Sequence, residues 1–162
     1  MNKKLIIIFV VIMILVVLGF IIYGFSKTNK MPSYSKDDAN RPIAEVKEDS
    51  FDFGPSNTSD VQEHTFPLKN IGKSDLYISQ ITTSCDCTSA YVYQGGNVSP
   101  RFNMHIESSW KTAVKPDETV YIRAVYDPKV MPEKGKISRF ITMASNDPNQ
   151  PELQYKIEVE IK

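Results

Sequence analysis

The clearest pattern in the chain lies near its C-terminal end, where Leu153, Tyr155, Ile157, Val159 and Ile161 alternate with Gln154, Lys156, Glu158, Glu160 and Lys162. A period of two predicts a strand with one buried face and one wet face. Val120, Ile122, Ala124 and Tyr126 repeat the rhythm against Tyr121 and Arg123, and Ile137, Ile141 and Met143 repeat it ahead of the turn residues Asn146-Asp147-Pro148. Phe66 and Leu68 share a parity before Asn70-Ile71-Gly72, and Phe51 and Phe53 mark an earlier strand. Leu76 and Ile78 lie on one parity while Ile81, Thr83, Cys85 and Cys87 lie on the other. A one-residue insertion flips faces, so a bulge is expected near Ser79-Gln80. About seven short strands separated by turns, with no helical period after residue 26, predict an all-β fold: an immunoglobulin-like antiparallel β-sandwich over residues 43–162.

The N-terminal region has a different pattern. Residues 5–25 carry no charge, and 17 of these 21 residues are Leu, Ile, Val or Phe. As a helix they reach roughly 31 Å, the thickness of a bilayer's hydrocarbon core. The run is too long for a signal-peptide apolar region and is followed by no small-residue cleavage site, so an uncleaved transmembrane anchor is expected. Residues 1–4 would then be a cytoplasmic N-terminus. Lys3 and Lys4 are answered by Lys27, Lys30, Lys36 and Arg41 on the other side, so charge alone does not orient the span. The short N-terminal tail favours a single-pass protein in the cell membrane with its domain extracytoplasmic. Residues 26–42, polar and with two prolines, read as a flexible tether.

Charge excludes one class of partner. Lys+Arg and Asp+Glu both number 19, and removing Lys3 and Lys4 leaves the rest at 17 basic and 19 acidic, net −2. A surface that binds nucleic acid needs clustered cations, so no nucleic-acid partner is expected. No G-x-S-x-G context or phosphate-binding loop occurs, and nothing else reads as an enzyme.

Two stretches hold the remaining chemistry. Ser84-Cys85-Asp86-Cys87-Thr88 contains both cysteines of the chain. On a strand, side chains two apart point to one face, which leaves four readings open: buried core thiols, a Cys85–Cys87 disulfide, a soft-metal site, or a redox-active thiol pair. The metal reading takes copper, with Cys85 and Cys87 joined by Met104 and His105. The second stretch, residues 93–116, is too long for an ordinary turn and carries Arg101, Phe102, Met104, His105 and the single Trp110. Such a loop in a compact domain is usually functional or disordered, and its aromatic and Met content argues against plain disorder, which makes Arg101, Phe102 and Trp110 candidate contacts for an unidentified protein partner. His64 shares the parity of Phe66 and reads as a hydrogen-bonded, partly buried histidine.

Phe51-Asp52-Phe53-Gly54, Glu63-His64-Thr65-Phe66 with Lys69-Asn70-Ile71-Gly72, Ser84-Cys85-Asp86-Cys87-Thr88, Lys115-Pro116-Asp117-Glu118, Tyr126-Asp127-Pro128 and Ser145-Asn146-Asp147-Pro148 follow one another in order. The series resembles a bacterial domain-of-unknown-function family with Ser-Cys-Gly-Cys-Thr, Pro-Gly-Glu and Asn-Asp-Pro motifs. The resemblance spans about residues 43–162. It implies an immunoglobulin-like fold related to major sperm protein domains, exported or tethered to a membrane. Asp86 and Asp117 stand where that family usually has Gly. Together these readings point to a membrane-anchored, extracytoplasmic, non-catalytic binding or scaffolding module. Its contacts with the bilayer would run through residues 5–25. The alternative is a copper or thiol-redox protein.

Overall fold

The computed structural model describes residues 3–25, 31–104 and 109–162, with side chains of the N-terminal helix described at residues 3, 4, 9 and 11–19. Two compact units result, Met1–Met31 and Pro32–Lys162. The first holds α1, Lys3–Phe25. Among the described residues no helix is long and apolar enough to cross a membrane; the described apolar side chains of α1, such as Phe9, Ile12 and Leu15, are exposed.

The second unit is a two-layer β-sandwich. Its strands are β1 (Ala44–Val46), β2 (Ser50–Ser56), β3 (Gln62–Asn70), β4 (Leu76–Thr83), β5 (Thr88–Gln94), β6 (Asn97–Val98), β7 (Lys111–Val114), β8 (Thr119–Tyr126), β9 (Gly135–Ser145) and β10 (Glu152–Ile161). One sheet has the order β1-β3-β8-β5-β6 and the other β2-β10-β9-β4-β7. The alternation in β10 is realised in full, with its five odd-numbered apolar residues buried against the opposite sheet. Phe66 and Leu68 from β3, Leu76 and Ile78 from β4, Ile122 from β8 and Tyr155 from β10 form the centre of the core, each essentially without exposure.

The strands outnumber the seven expected because β1, β6 and β7 are two to four residues long, too short to show alternation. One pairing also departs from the expectation of a purely antiparallel sandwich: β2 lies parallel to β10. The chain leaves β1 in the first sheet and crosses to the free edge of β10 in the second. β2 carries one residue too many between its pairs with Glu158 and Glu160, and Gly54 at φ 68° absorbs it. The bulge expected near Ser79-Gln80 is present, as the β4–β9 register shifts between Ser79 and Thr82 and Gln80 sits at φ 51°.

Part of the segment expected to be a free tether is folded against the sandwich. Lys73 N donates to Arg41 O at 3.2 Å, Ile71 N donates to Ile43 O at 2.9 Å, and the Ser74 hydroxyl donates to Asn40 O at 2.5 Å. This contact is close because residue 72 is glycine: a Cβ there would lie 2.4 Å from Ile43 N and 2.6 Å from Pro42 Cα. Residues 26–30 lie outside the described residues.

Buried polar side chains at this end of the sandwich hold the segments together. Asn70 is wholly buried, and its amide nitrogen donates to Ser74 O and Val114 O, both at 2.8 Å, while its side-chain oxygen accepts from Gly72 N at 2.9 Å. Its own backbone N–H donates to Glu118 O and its carbonyl accepts from Asp117 N. Removing this side chain leaves Val114 O unpaired in the interior, at a cost of about 1–3 kcal/mol, and Ser74 O and Gly72 N unpaired where they are part-buried, at less each. Asn70→Leu is expected to lower unfolding stability by about 3 kcal/mol, read as a shift in the urea midpoint at constant m-value.

Candidate functional site

The two cysteines do not lie on a strand. The β4–β9 ladder ends at Thr83 opposite Ile141, and Ser84 closes it by donating its N–H to Phe140 O and accepting from Phe140 N at its hydroxyl, both at 2.9 Å. The chain then leaves one sheet, turns with Thr88 N donating to Cys85 O at 3.2 Å, and enters β5 of the other. Cys85-Asp86-Cys87 is therefore the corner that joins the two layers. Parity placed both side chains inward, and the turn preserves that direction.

At this corner Cys85 and Cys87 are joined by a disulfide. Cys85 retains 5% of its surface and Cys87 1%. The Thr83 hydroxyl sits 2.9 Å from Cys85 O and 3.0 Å from Thr88 O, and Thr88 Oγ1 lies 3.5 Å from Cys85 Sγ. Asp127 N donates to Cys87 O at 2.8 Å, which fixes the end of β8 to the corner. Arg139 of β9 completes the arrangement. Its Nε donates to Cys87 Sγ at 3.1 Å, one terminal nitrogen donates to Ser138 O, and the other pairs with Glu133 at 2.7 Å. Its side chain is 17% exposed. Nearby Tyr126 is buried in the core, and burial raises its phenol pKa, with the Arg139 charge opposing the shift.

Arg139 is the residue that sequence reasoning missed. It shares the inward parity of Ile137, Ile141 and Met143 on β9. An arginine at a core-facing position demands a partner, and that was the available signal.

Of the expected copper ligands, Cys85, Cys87 and Met104 are described. Cys85 and Cys87 are tied up as a disulfide and offer no thiolate, the donor that a soft metal takes. Met104 is 46% exposed and His105 lies outside the described residues. Among the described residues no three His, Cys, Asp or Glu side chains converge.

The described residues of 93–116 are ordered structure. They contain β6 and β7, and residues 99–102 seal the edge of β5: Ala90 and Phe102 exchange both backbone hydrogen bonds at 3.0 Å, and Ser99 N donates to Val92 O at 2.9 Å. Phe102 consequently points into the core with no exposure, against the half-buried Trp110 at 5.2 Å between ring centroids. This corrects the expectation that Phe102 contacts a partner, because its ring packs inside the domain itself. Arg101 is exposed and donates through Nε to Ser89 Oγ at 2.9 Å.

A second surface emerged only from the pairing. Tyr121 of β8 stands between Pro67 of β3 and Tyr93 of β5, and Tyr93 pairs in turn with Val98 of β6. These four residues form one cross-strand row on the outer face of the sheet. Behind it Arg123 lies 5.9 Å from the Tyr93 ring centroid, donates to Tyr93 Oη at 2.9 Å and pairs with Glu63. These hydrogen bonds push the guanidinium pKa further up. Glu63, His64, Thr65, Tyr93, Tyr121 and Arg123 line an open depression of about 690 Å³. The His64 ring stacks on Phe51 at 3.7 Å, and its Nε2 lies 3.0 Å from Glu48 Oε1, in keeping with its inward parity.

The model of a family described as proteins of unknown function, DUF1573, matches residues 44–161. The chain belongs to this family. A search of curated proteins finds no match. Among solved structures, a protein of unknown function from Porphyromonas gingivalis W83 is similar at 20% identity and a TM-score of 0.60, over 81% of this chain and 51% of that one. The chain thus spans about half the length of that relative. The ASH/PapD-like domain 7 of human CEP192 is similar at 14% identity and a TM-score of 0.50, over 85% of this chain and 96% of that one. At these identities the likeness shows the fold: an all-β sandwich of the immunoglobulin and PapD type.

Two measurements check the assignments at this site. Phe102→Ala empties a fully enclosed position and is expected to cost about 3–5 kcal/mol of stability. The double substitution Cys85→Ser/Cys87→Ser opens a loop so short that the denatured chain gains little freedom, about 1.5 kcal/mol on the loop-closure account. Urea midpoints of the two variants should differ accordingly.

Proposed function

We propose that the chain is a single-pass, membrane-anchored module whose domain lies outside the cytoplasm and acts by binding or scaffolding a protein partner. The observation that carries this reading is the outer face built on Tyr93, Tyr121, Arg123 and Glu63. Tyrosine and arginine are among the side chains that most often anchor protein interfaces, since each offers apolar surface with a polar tip, and tyrosine loses few rotamers on docking. Here the Tyr93 ring is already braced by Arg123, so part of that cost is met before a partner arrives.

Residues 5–25 supply the anchor in this reading. Their sequence carries no polar residue at helical spacing that would mark a wet face, which suits a lipid surround better than a helix lying on a domain. The disulfide favours an extracytoplasmic site, since such bonds persist in oxidising compartments. The resemblance in fold to major sperm protein domains belongs to the same reading.

The test places a photo-crosslinking amino acid at position 121, or at exposed position 82 on the opposite sheet, in the full chain in intact cells. A discrete adduct with a protein is expected at position 121 and not at 82. Equal adducts at both, or none at 121, overturn the binding reading. The anchor is checked separately: the chain should resist carbonate extraction, and protease added to intact cells should degrade the domain. A chain released by carbonate or fully protected from protease contradicts it.

A further inference from the structure

The disulfide at the corner between the sheets adds little to stability by closing a loop, and it is held asymmetrically. A cation touches one sulfur: Arg139 Nε donates to Cys87 Sγ at 3.1 Å. The small residual exposure favours the other, Cys85 at 5% against Cys87 at 1%. From this geometry we infer that Cys85–Cys87 is an exchange-active disulfide that oxidises protein dithiols, with Cys85 the sulfur attacked and Cys87 the sulfur that leaves.

The steps follow from the positions of the groups. A thiolate of the dithiol attacks Cys85 Sγ, the Cys85–Cys87 bond breaks, and its electron pair goes to Cys87 Sγ as a thiolate beside Arg139. Exchange runs faster when the leaving sulfur is the better stabilised anion. A guanidinium with its Nε–H already aimed at that sulfur supplies the stabilisation without reorganisation. The second thiolate of the dithiol then attacks its own sulfur in the mixed disulfide. That bond breaks toward Cys85 Sγ, which takes up one of the two protons released by the dithiol. The dithiol has lost two electrons and become a disulfide, and the chain has gained them as a Cys85 thiol and a Cys87 thiolate.

The surroundings are built for one charge at that place. Glu133 holds the far side of the Arg139 guanidinium at 2.7 Å, so the cation is not free to swing away. Asp127 N holds Cys87 O, and Thr83 holds the corner's carbonyls, which keeps Cys87 in position when its bond to Cys85 opens. The other charged or titratable side chains here are Asp86 within the turn, Asp127 after β8 and Tyr126 at its end. Among the described residues, only Arg139 is hydrogen-bonded to sulfur as a cation. This activity is separate from the binding reading, since it uses neither Tyr121 nor the outer face.

The test is regiochemical. The full chain in detergent is treated with a monothiol, cysteamine, and the liberated thiol is trapped with iodoacetamide before peptide mass analysis. The cysteamine adduct is expected on Cys85 and the carbamidomethyl group on Cys87 by at least about tenfold over the reverse. Arg139→Gln should slow adduct formation by about tenfold and bring the two isomers toward equality, while Arg139→Lys should keep the preference. A folded chain that forms no adduct, a majority of adduct on Cys87, or an Arg139→Gln variant with wild-type rate and ratio overturns the proposal. If Arg139→Gln does not fold, the wild-type isomer ratio and the Arg139→Lys variant still decide it.

Discussion

Asn70 is the constraint on which the sandwich depends. Its side chain and backbone together bond Ser74, Gly72, Val114, Asp117 and Glu118, so the end of β3, the entry to β4 and the turn from β7 to β8 are fixed by one residue. Val114 belongs to one sheet and Glu118 leads into the other. A buried amide with its hydrogen bonds satisfied costs little, while any alternative arrangement would leave it unpaired. The layers are therefore locked in a single register at this end.

Asn146 and Asp147 do the same from the other side of the core. Part of their chemistry is the local turn that the sequence suggests, with Asn149 N donating to Asp147 Oδ1 at 2.9 Å. The rest reaches far along the chain. Asn146 Oδ1 accepts from Tyr77 N and Asp147 Oδ2 accepts from Ala44 N, at 2.8 and 2.9 Å. Gln150 adds a bond to Ala44 O. The short strand β1, which has few apolar contacts to hold it, is secured by these polar bonds.

With one end locked, the opposite end is available for chemistry. β4 carries the chain from the polar hub to the disulfide corner, a distance of about 25 Å at strand rise. β8 runs the same way and β9 runs back from the corner to the hub, so Asp127 and Arg139 stand at the corner on strands whose other ends are held at the hub. A rigid scaffold presenting one loop is the usual way a reactive group is held. The tyrosine row has a similar origin, as it exists because β3, β8, β5 and β6 lie side by side in a fixed register.

The sequence by itself determined the faces of the long strands, the bulge at Ser79-Gln80, the inward direction of Cys85 and Cys87 and the apolar character of residues 5–25. Each is a local property, because a period of two or a continuous apolar run records how a segment meets its surroundings without recording what those surroundings are. Only the tertiary structure decided which elements meet. Phe102 is in the core because its backbone pairs with Ala90, and no local pattern marks that closure. The cysteines occupy a corner because the β9 ladder stops at Thr83, a fact about β9 as much as β4. Arg139 reaches Cys87 across 52 residues of sequence. Parity announced a buried cation there, but the atom that receives its hydrogen bond was set by the packing of two sheets.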